Sequence, residues 1–269
     1  MIMRRKFIVF TSLLMVGILT NCSKDSDPST EEPDPVDRSA NLLSTGDSAA
    51  DILANENFDE ILIEIAHVEG FRPTSEALGN IEAYLAERTF KEEVNFLFRS
   101  LPSPGEESLT LTEIAELETE NRTRYNDGRT LAIYIYFADA PSVKDDPVEG
   151  LVTLGAVYRN TSMIIHESAL RELSSKSVGL TLANVETTAL AHEFGHLFGL
   201  VDLGTPEVNP HEDENAPNHC DVADCLMQAE LEFGSGIMAK LESLSANGLG
   251  GIPSLDAECI RDLQAIGGR

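Results

Sequence analysis

Two histidines and a glutamate in a nearly uncharged segment constrain this chain more than any other feature. The segment from Thr187 to Leu200 reads TTALAHEFGHLFGL, with His192 and His196 four residues apart. On a helix, that spacing places both imidazoles on one face, about one turn apart. Burying such polar groups without partners is costly, so a chance pair of histidines fits this segment poorly. Two neutral imidazoles placed in this way can bind one divalent metal ion, most often zinc.

The residues between and after the histidines add a base and a helix end. Glu193 follows the first histidine, so its carboxylate reaches the edge of the metal and can take a proton from a metal-activated water. This is the H-E-x-x-H arrangement of zinc peptidases. Gly199 lets the helix stop and turn, because glycine accepts a left-handed conformation. The sequence therefore predicts a zinc-dependent endopeptidase with Glu193 as its general base.

The amino-terminal segment predicts export. A basic cluster, Arg4-Arg5-Lys6, precedes an apolar stretch from Phe7 to Leu19. This is the pattern of a signal peptide, and the apolar stretch is too short for a membrane span. The following Leu19-Thr20-Asn21-Cys22 resembles a bacterial lipobox. We expect residues 1–21 to be removed and Cys22 to carry an outer-membrane lipid anchor, with ordinary secretion as the alternative.

Composition divides the rest of the chain into two parts. Residues 22–56 are rich in Ser, Asp, Glu and Pro, which predicts a disordered, lipidated acidic tether before a zinc metallopeptidase domain at 57–269. The stretch after Cys22 resembles the tethers of surface lipoproteins in the Bacteroidetes, so we expect exposure at the cell surface. The formal net charge of −27 argues against nucleic acid and anionic membrane surfaces as partners.

Hydrophobic patterning in residues 57–269 predicts a mixed sheet with helices packed on it. The predicted strands are Ile61–Val68, Val94–Phe98, Leu131–Phe137 and Gly155–Ile165, the last as one kinked strand or two short ones. The predicted helices are Ser75–Arg88, Leu109–Asn126, Thr187–Phe198 and Ser254–Ile266.

The residues after the motif resemble those of metzincin zinc peptidases. The string His219-Cys220, four residues, Cys225-Leu226-Met227 is similar to the H-C-x-x-x-x-C-x-M of archaemetzincins, and the insert VDLGTPEVNPHEDENAPN separates it from the helix. The chain also resembles metalloprotease lipoproteins of the Bacteroidetes with a similar insert. The resemblance implies an α+β fold: a metzincin-like catalytic domain with a mixed, mostly parallel sheet, an active-site helix, a Met-turn and a C-terminal helix.

Three residues are candidates for the third zinc ligand. His219 matches the archaemetzincin string and ranks first, which gives the ligand set His192, His196 and His219. Asp202 ranks second because it lies at the usual offset after the helix, and it could instead orient a ligand histidine. His211 lies in the insert and ranks third, since a solvated loop residue is the simpler interpretation.

The resemblance also bears on the methionine and the cysteines. It implies that Met227, or failing that Met238, forms a hydrophobic floor beneath the histidines. In archaemetzincins the cysteine pair joins a later C-x-x-C to hold a second zinc ion, and this chain has no such later pair. We therefore expect one catalytic zinc ion and a Cys220–Cys225 disulfide, with Cys259 free or competing for Cys225.

Other features leave alternatives open. His67 and His166 lie in or beside predicted strands and are expected to be structural. By analogy with the family, the segment from Tyr158 to Ile164 is the sheet edge that pairs with a peptide or protein substrate. A non-catalytic surface lipoprotein with a structural zinc site is the competing function. A peptidase kept latent by residues 23–56 is a third hypothesis.

Overall fold

The computed structural model describes residues 36–146, 148–177, 179–233, 237–246 and 252–269. The predicted signal peptide, Cys22 and the first part of the predicted tether lie outside these ranges. Within them, every helix is too short or too polar to cross a membrane.

Five strands of the described chain form one mixed sheet. They are β1 (Glu60–Val68), β2 (Glu93–Leu101), β3 (Thr130–Phe137), β4 (Gly155–Arg159) and β5 (Ser162–Ile165). The strand order is β2-β1-β3-β5-β4, and every neighbouring pair is parallel except β4 with β5. The expected mixed, mostly parallel sheet is therefore confirmed, and β4 is its antiparallel edge.

Helices connect and cover these strands. They are α1 (Ala49–Leu53), α2 (Ser75–Arg88), α3 (Leu111–Asn121), α4 (Glu167–Lys176), α5 (Leu182–Leu197), α6 (Ile237–Ala246) and α7 (Ala257–Ala265). Thr110 and Glu113 form a capping box at the start of α3, and Thr181 and Asn184 form one at the start of α5. These caps satisfy amide groups that the first helical turn leaves without partners.

The inner strands β1, β3 and β5 are buried on both faces, which explains why their sequences are mostly apolar. In β3, Ile133, Ile135 and Phe137 belong to the larger buried cluster, together with residues of α2 and α5. Tyr134 and Tyr136 point to the opposite face and join a smaller cluster with α3. This alternation follows from the two-residue period of a strand. The site helix α5 therefore lies against the larger core, where it contacts α2, α4 and β4.

The structure separates the two alternatives for the last predicted strand. The stretch from Gly155 to Ile165 forms two short antiparallel strands, as one alternative expected, because the chain turns at Asn160-Thr161. Of these two strands, only β4 lies at an edge of the sheet, whereas β5 lies between β3 and β4. The expected substrate edge from Tyr158 to Ile164 is therefore wrong in its second half. Helix α4 was not predicted at all.

The predicted boundary at residue 57 is also wrong. Ile52 and Leu53 in α1 have no exposed surface and belong to the larger core. The buried side chain of Asn41 donates to Asn126 Oδ1 at 2.9 Å and to the backbone oxygen of Ala132 at 3.1 Å. Polar composition suggested a tether, but these specific contacts make residues 36–56 part of the folded unit.

Candidate metal centre

Helix α5 positions the two motif histidines and the glutamate. Its residues from Val185 to Leu197 are all buried. The helix begins earlier than predicted, because the capping box at Thr181 extends it by more than a turn. It ends at Leu197, one residue before the predicted end, and Gly199 follows with a left-handed φ of +70°. The polar side chains of His192, Glu193 and His196 therefore project from a buried, mostly apolar helix.

Three imidazoles converge at this helix. His192 Nε2 lies 3.1 Å from His196 Nε2. The ring of His219 reaches them from the loop after the insert, with its centroid 5.4 Å from His192 and 5.1 Å from His196. All three side chains are buried, and together with Glu232 they form a group able to hold a metal ion.

The hydrogen bonds of two of these rings orient them toward a shared centre. Nδ1 of His192 donates to the Leu226 carbonyl oxygen at 2.7 Å, and Nδ1 of His219 donates to the Pro217 oxygen at 3.0 Å. A carbonyl oxygen only accepts, so the Nε2 atom of each neutral ring carries a lone pair that faces the centre. Burial lowers the pKa of His196 to about 4, although hydrogen bonding to Glu232 opposes it. Facing lone pairs repel unless a cation lies between them, which fits a zinc site.

Glu232 is a member of this centre that sequence reasoning missed. Its Oε2 lies 2.7 Å from His219 Nε2, 3.2 Å from His196 Nε2 and 3.6 Å from His192 Nε2. Burial opposes ionisation of this carboxyl group, but its contacts with the three imidazoles outweigh that effect and lower its pKa. Nothing in the local pattern distinguishes Glu232 from its exposed neighbour Glu230, since only the folded chain brings it to the histidines.

Glu193 is a buried carboxyl group without a good hydrogen bond. Its side chain has no exposed surface, and neither carboxylate oxygen has a hydrogen-bond partner within the described residues. Burial raises the pKa of Glu193 well above its ordinary value, and repulsion from Glu232 adds to the shift. A Cβ on Gly155 would lie 2.7 Å from Glu193 Oε1, so glycine makes room here for the carboxylate beneath β4. Such a group is a candidate proton acceptor.

Met227 packs directly against the site helix. It is fully buried, and a Cβ on Gly195 would lie only 2.1 Å from its Sδ atom. Because Gly195 lies between the two motif histidines in sequence, the thioether occupies the space beside them. This position suits the hydrophobic floor that the sequence predicted. The side chain of Met238, the alternative, lies outside the described residues.

The other sequence candidates lie elsewhere. Asp202 is exposed, with φ of +57°, and is not in the histidine cluster. His67 Nδ1 donates to the Val68 backbone oxygen at 3.1 Å, and His166 Nδ1 donates to the Ala140 oxygen at 2.9 Å. Both are buried and have backbone partners, as expected of structural residues.

His211 is buried in a second cluster rather than solvated. Its Nδ1 lies 3.2 Å from Cys220 Sγ, and Cys225 Sγ lies 3.6 Å from Cys259 Sγ. These three cysteines are free, so the expected Cys220–Cys225 disulfide is absent from this part of the chain. The prediction failed because folding brings a third thiol and an imidazole to the pair. His211, Cys220, Asp256 and Cys259 form a second group able to hold a metal ion.

Comparisons with known proteins give weak structural likenesses. No protein-family model matches this chain, and no curated protein does. The chain is similar to archaemetzincin from Methanopyrus kandleri, with 14% identity over 77% of this chain and 96% of that one, and a TM-score of 0.47. It is also similar to a zinc-dependent peptidase from Methanocorpusculum labreanum (strain Z), with 15% identity over 75% and 99% of the two chains and a TM-score of 0.41. At such low values, neither likeness assigns a function to this chain.

Proposed function

We propose that this protein is a zinc-dependent endopeptidase of the metzincin type. One observation carries the proposal: three imidazole nitrogens converge beside a buried carboxyl group that lacks a partner. His192, His196 and His219 would hold the zinc ion through their Nε2 atoms. A set of three protein ligands is typical of catalytic zinc sites, which keep one position for water or substrate.

Each residue then has a separate task. When bound, zinc supplies a Lewis acid that polarises the substrate carbonyl and lowers the pKa of water. Glu193 accepts the proton of the attacking water and returns it to the leaving amine nitrogen. The Leu226 and Pro217 carbonyl oxygens orient the rings of His192 and His219.

The edge strand and a neighbouring cavity suggest how substrate binds. Strand β4 is the last strand of the sheet beside α5, so an extended peptide could pair with its backbone. A cavity of about 190 Å³ adjoins Glu232, and apolar residues such as Leu111, Leu151, Ala156 and Phe233 line much of it. We assign it to an apolar substrate side chain next to the bond that is cleaved.

The sulfur cluster supports a second zinc ion with a structural role. Cys220, Cys259 and His211 would be ligands, with Cys225 or Asp256 as the fourth, and four protein ligands are typical of structural zinc. Asp262 Oδ2 lies 2.7 Å from His211 Nε2, which leaves Nδ1 facing the sulfur atoms. This replaces our expectation of a single zinc ion. The site would join the insert, the turn at Met227 and helix α7.

The predicted location completes the proposal. A lipid anchor on Cys22 would hold the enzyme at the outer membrane, facing outward, where peptides or proteins are available as substrates. The competing function is a non-catalytic binding module with a structural zinc site. Glu232 favours this alternative, because its carboxylate would be a fourth protein ligand. Glu193 argues against it, because a structural site has no use for a buried base.

A conservative substitution tests the proposal. Glu193→Gln keeps the shape of the side chain and removes the base, so peptide hydrolysis should fall by roughly 10²- to 10⁴-fold with the zinc content unchanged. The matched control is Glu230→Gln, which changes an exposed carboxyl group near the site. If Glu193→Gln cleaves as fast as the control, the proposed mechanism is wrong.

A further inference from the structure

We propose that Glu232 and Phe233 form a built-in inhibitory segment that keeps the peptidase latent. This inference rests on the proposed function. The Glu232 carboxylate would fill the zinc position that water and substrate need, and the segment would lie where a bound peptide lies. Activation would then require displacement of these two residues.

The Glu232 carboxylate lies where a zinc ligand would lie. Glu232 Oε2 lies between 2.7 and 3.6 Å from all three Nε2 atoms. A zinc ion lies about 2.0–2.1 Å from each imidazole nitrogen and prefers four ligands in a tetrahedron. A carboxylate oxygen this close to all three nitrogens would therefore become the fourth ligand. It would exclude the position on which hydrolysis depends.

The backbone of Glu232 and Phe233 pairs with the chain just before the edge strand. The Leu154 N–H donates to the Glu232 carbonyl oxygen at 2.8 Å, and Thr153 and Phe233 form an antiparallel bridge. Leu154 directly precedes β4, the edge strand. The segment thus uses the same kind of main-chain pairing, beside the same edge, that we assign to a substrate.

The side chain of Phe233 lies between the metal centre and the proposed substrate cavity. Its ring lies perpendicular to the ring of His219, with the centroids 5.5 Å apart, and it lines the cavity assigned to a substrate side chain. Glu232 would thus occupy the open zinc position, the backbone of the segment pairs beside the edge strand, and Phe233 lines the cavity. A single permanent ligand would need only the first of these.

Exposure at one end of the segment favours a removable block over a permanent ligand. Phe233 is 41% exposed, so this end of the segment lies at the surface.

The test measures access to the metal as well as activity. The full-length protein is loaded with Co²⁺, whose visible spectrum reports its ligands, and titrated with acetohydroxamate. Glu232→Ala should bind the probe at least roughly tenfold more tightly than the wild type, because the competing state is removed. Its spectrum should show one protein ligand lost, and the zinc-loaded variant should hydrolyse peptides faster. Glu230→Ala is the matched control, and Glu232→Gln serves if the alanine variant does not fold.

The outcomes separate the two proposals. Unchanged probe affinity in both Glu232 variants would overturn the inhibitory role, because Glu232 would then not compete for the metal. Loss of the metal from both variants would also overturn it, because Glu232 would then be a permanent ligand. Tighter probe binding without hydrolysis by any variant would support the block but contradict the peptidase function. Tighter probe binding with faster hydrolysis supports both.

Discussion

Replacing Gly195 with alanine tests how closely Met227 packs under the metal centre. The added Cβ would lie 2.1 Å from Met227 Sδ and 3.0 Å from its Cε atom. An ordinary contact between such atoms is about 3.5–4.0 Å, so the methionine must move. Met227 has no exposed surface, and therefore has no solvent to move into.

Two opposing terms set the expected magnitude. Alanine is favoured over glycine within a helix by about 0.8–1.0 kcal/mol. Overpacking a closely packed core costs about 1–3 kcal/mol. Gly195→Ala should therefore lower the free energy of unfolding by roughly 0–2 kcal/mol in the wild type. In a Met227→Ala background the clash disappears, and the same substitution should raise stability by up to about 1 kcal/mol.

Urea denaturation of the two single variants and the double variant measures this reversal. The coupling energy should be about 1–3 kcal/mol, equal to the overpacking cost. A coupling energy within about 0.5 kcal/mol of zero would refute the contact between Met227 and the site helix. Unfolding slopes that match among the variants would show that the change lies in stability and not in the denatured state.

Three further predictions follow from the metal sites and the core. His219→Asn should release zinc from the catalytic site, whereas Asp202→Asn should retain it; metal analysis after dialysis that shows the opposite would make Asp202 the ligand. Cys259→Ala should lower the zinc content from two equivalents to one and destabilise the protein, and an unchanged content would rule out the second site. Burial and the neighbouring Glu186 raise the pKa of Glu167 from 4.5 to about 8. The contribution of Glu167 to the free energy of unfolding is therefore fully present below about pH 4.5 and is lost as the pH rises through 8. Glu167→Gln should flatten this decline when the free energy of unfolding is measured in urea between pH 4.5 and pH 8. The same decline in the variant would contradict the raised pKa of Glu167.

Local patterns predicted the elements that depend on local chemistry. The run TLAIYIYF became β3, and the serine-started helix Ser75–Arg88 has the predicted bounds, because periodicity and caps act over a few residues. The helix that carries His192 and His196 was predicted for the same reason. The mixed sheet with packed helices followed from the order of these elements, whereas the pattern left open whether β4 and β5 are one kinked strand or two short ones.

The unpredicted features depend on contacts between distant parts of the chain. Polar composition gave no sign that Ile52 and Leu53 would reach the core from the predicted tether. His211 was interpreted as solvated because its sequence neighbours are acidic, yet Cys220 and Asp262 enclose it. Glu232 joins the histidines only because a turn after Met227 returns the chain to β4. No motif spacing encodes such long-range placement.

The central claim is that His192, His196 and His219 hold a catalytic zinc ion. Anomalous diffraction from a crystal of the zinc-loaded protein, measured on both sides of the zinc absorption edge, tests it most directly. We predict one peak about 2.0–2.1 Å from the Nε2 atoms of all three histidines and a second peak among the sulfur atoms. A structure with bound zinc but no peak at the three imidazoles, or with His219 outside the ligand set, would contradict the claim.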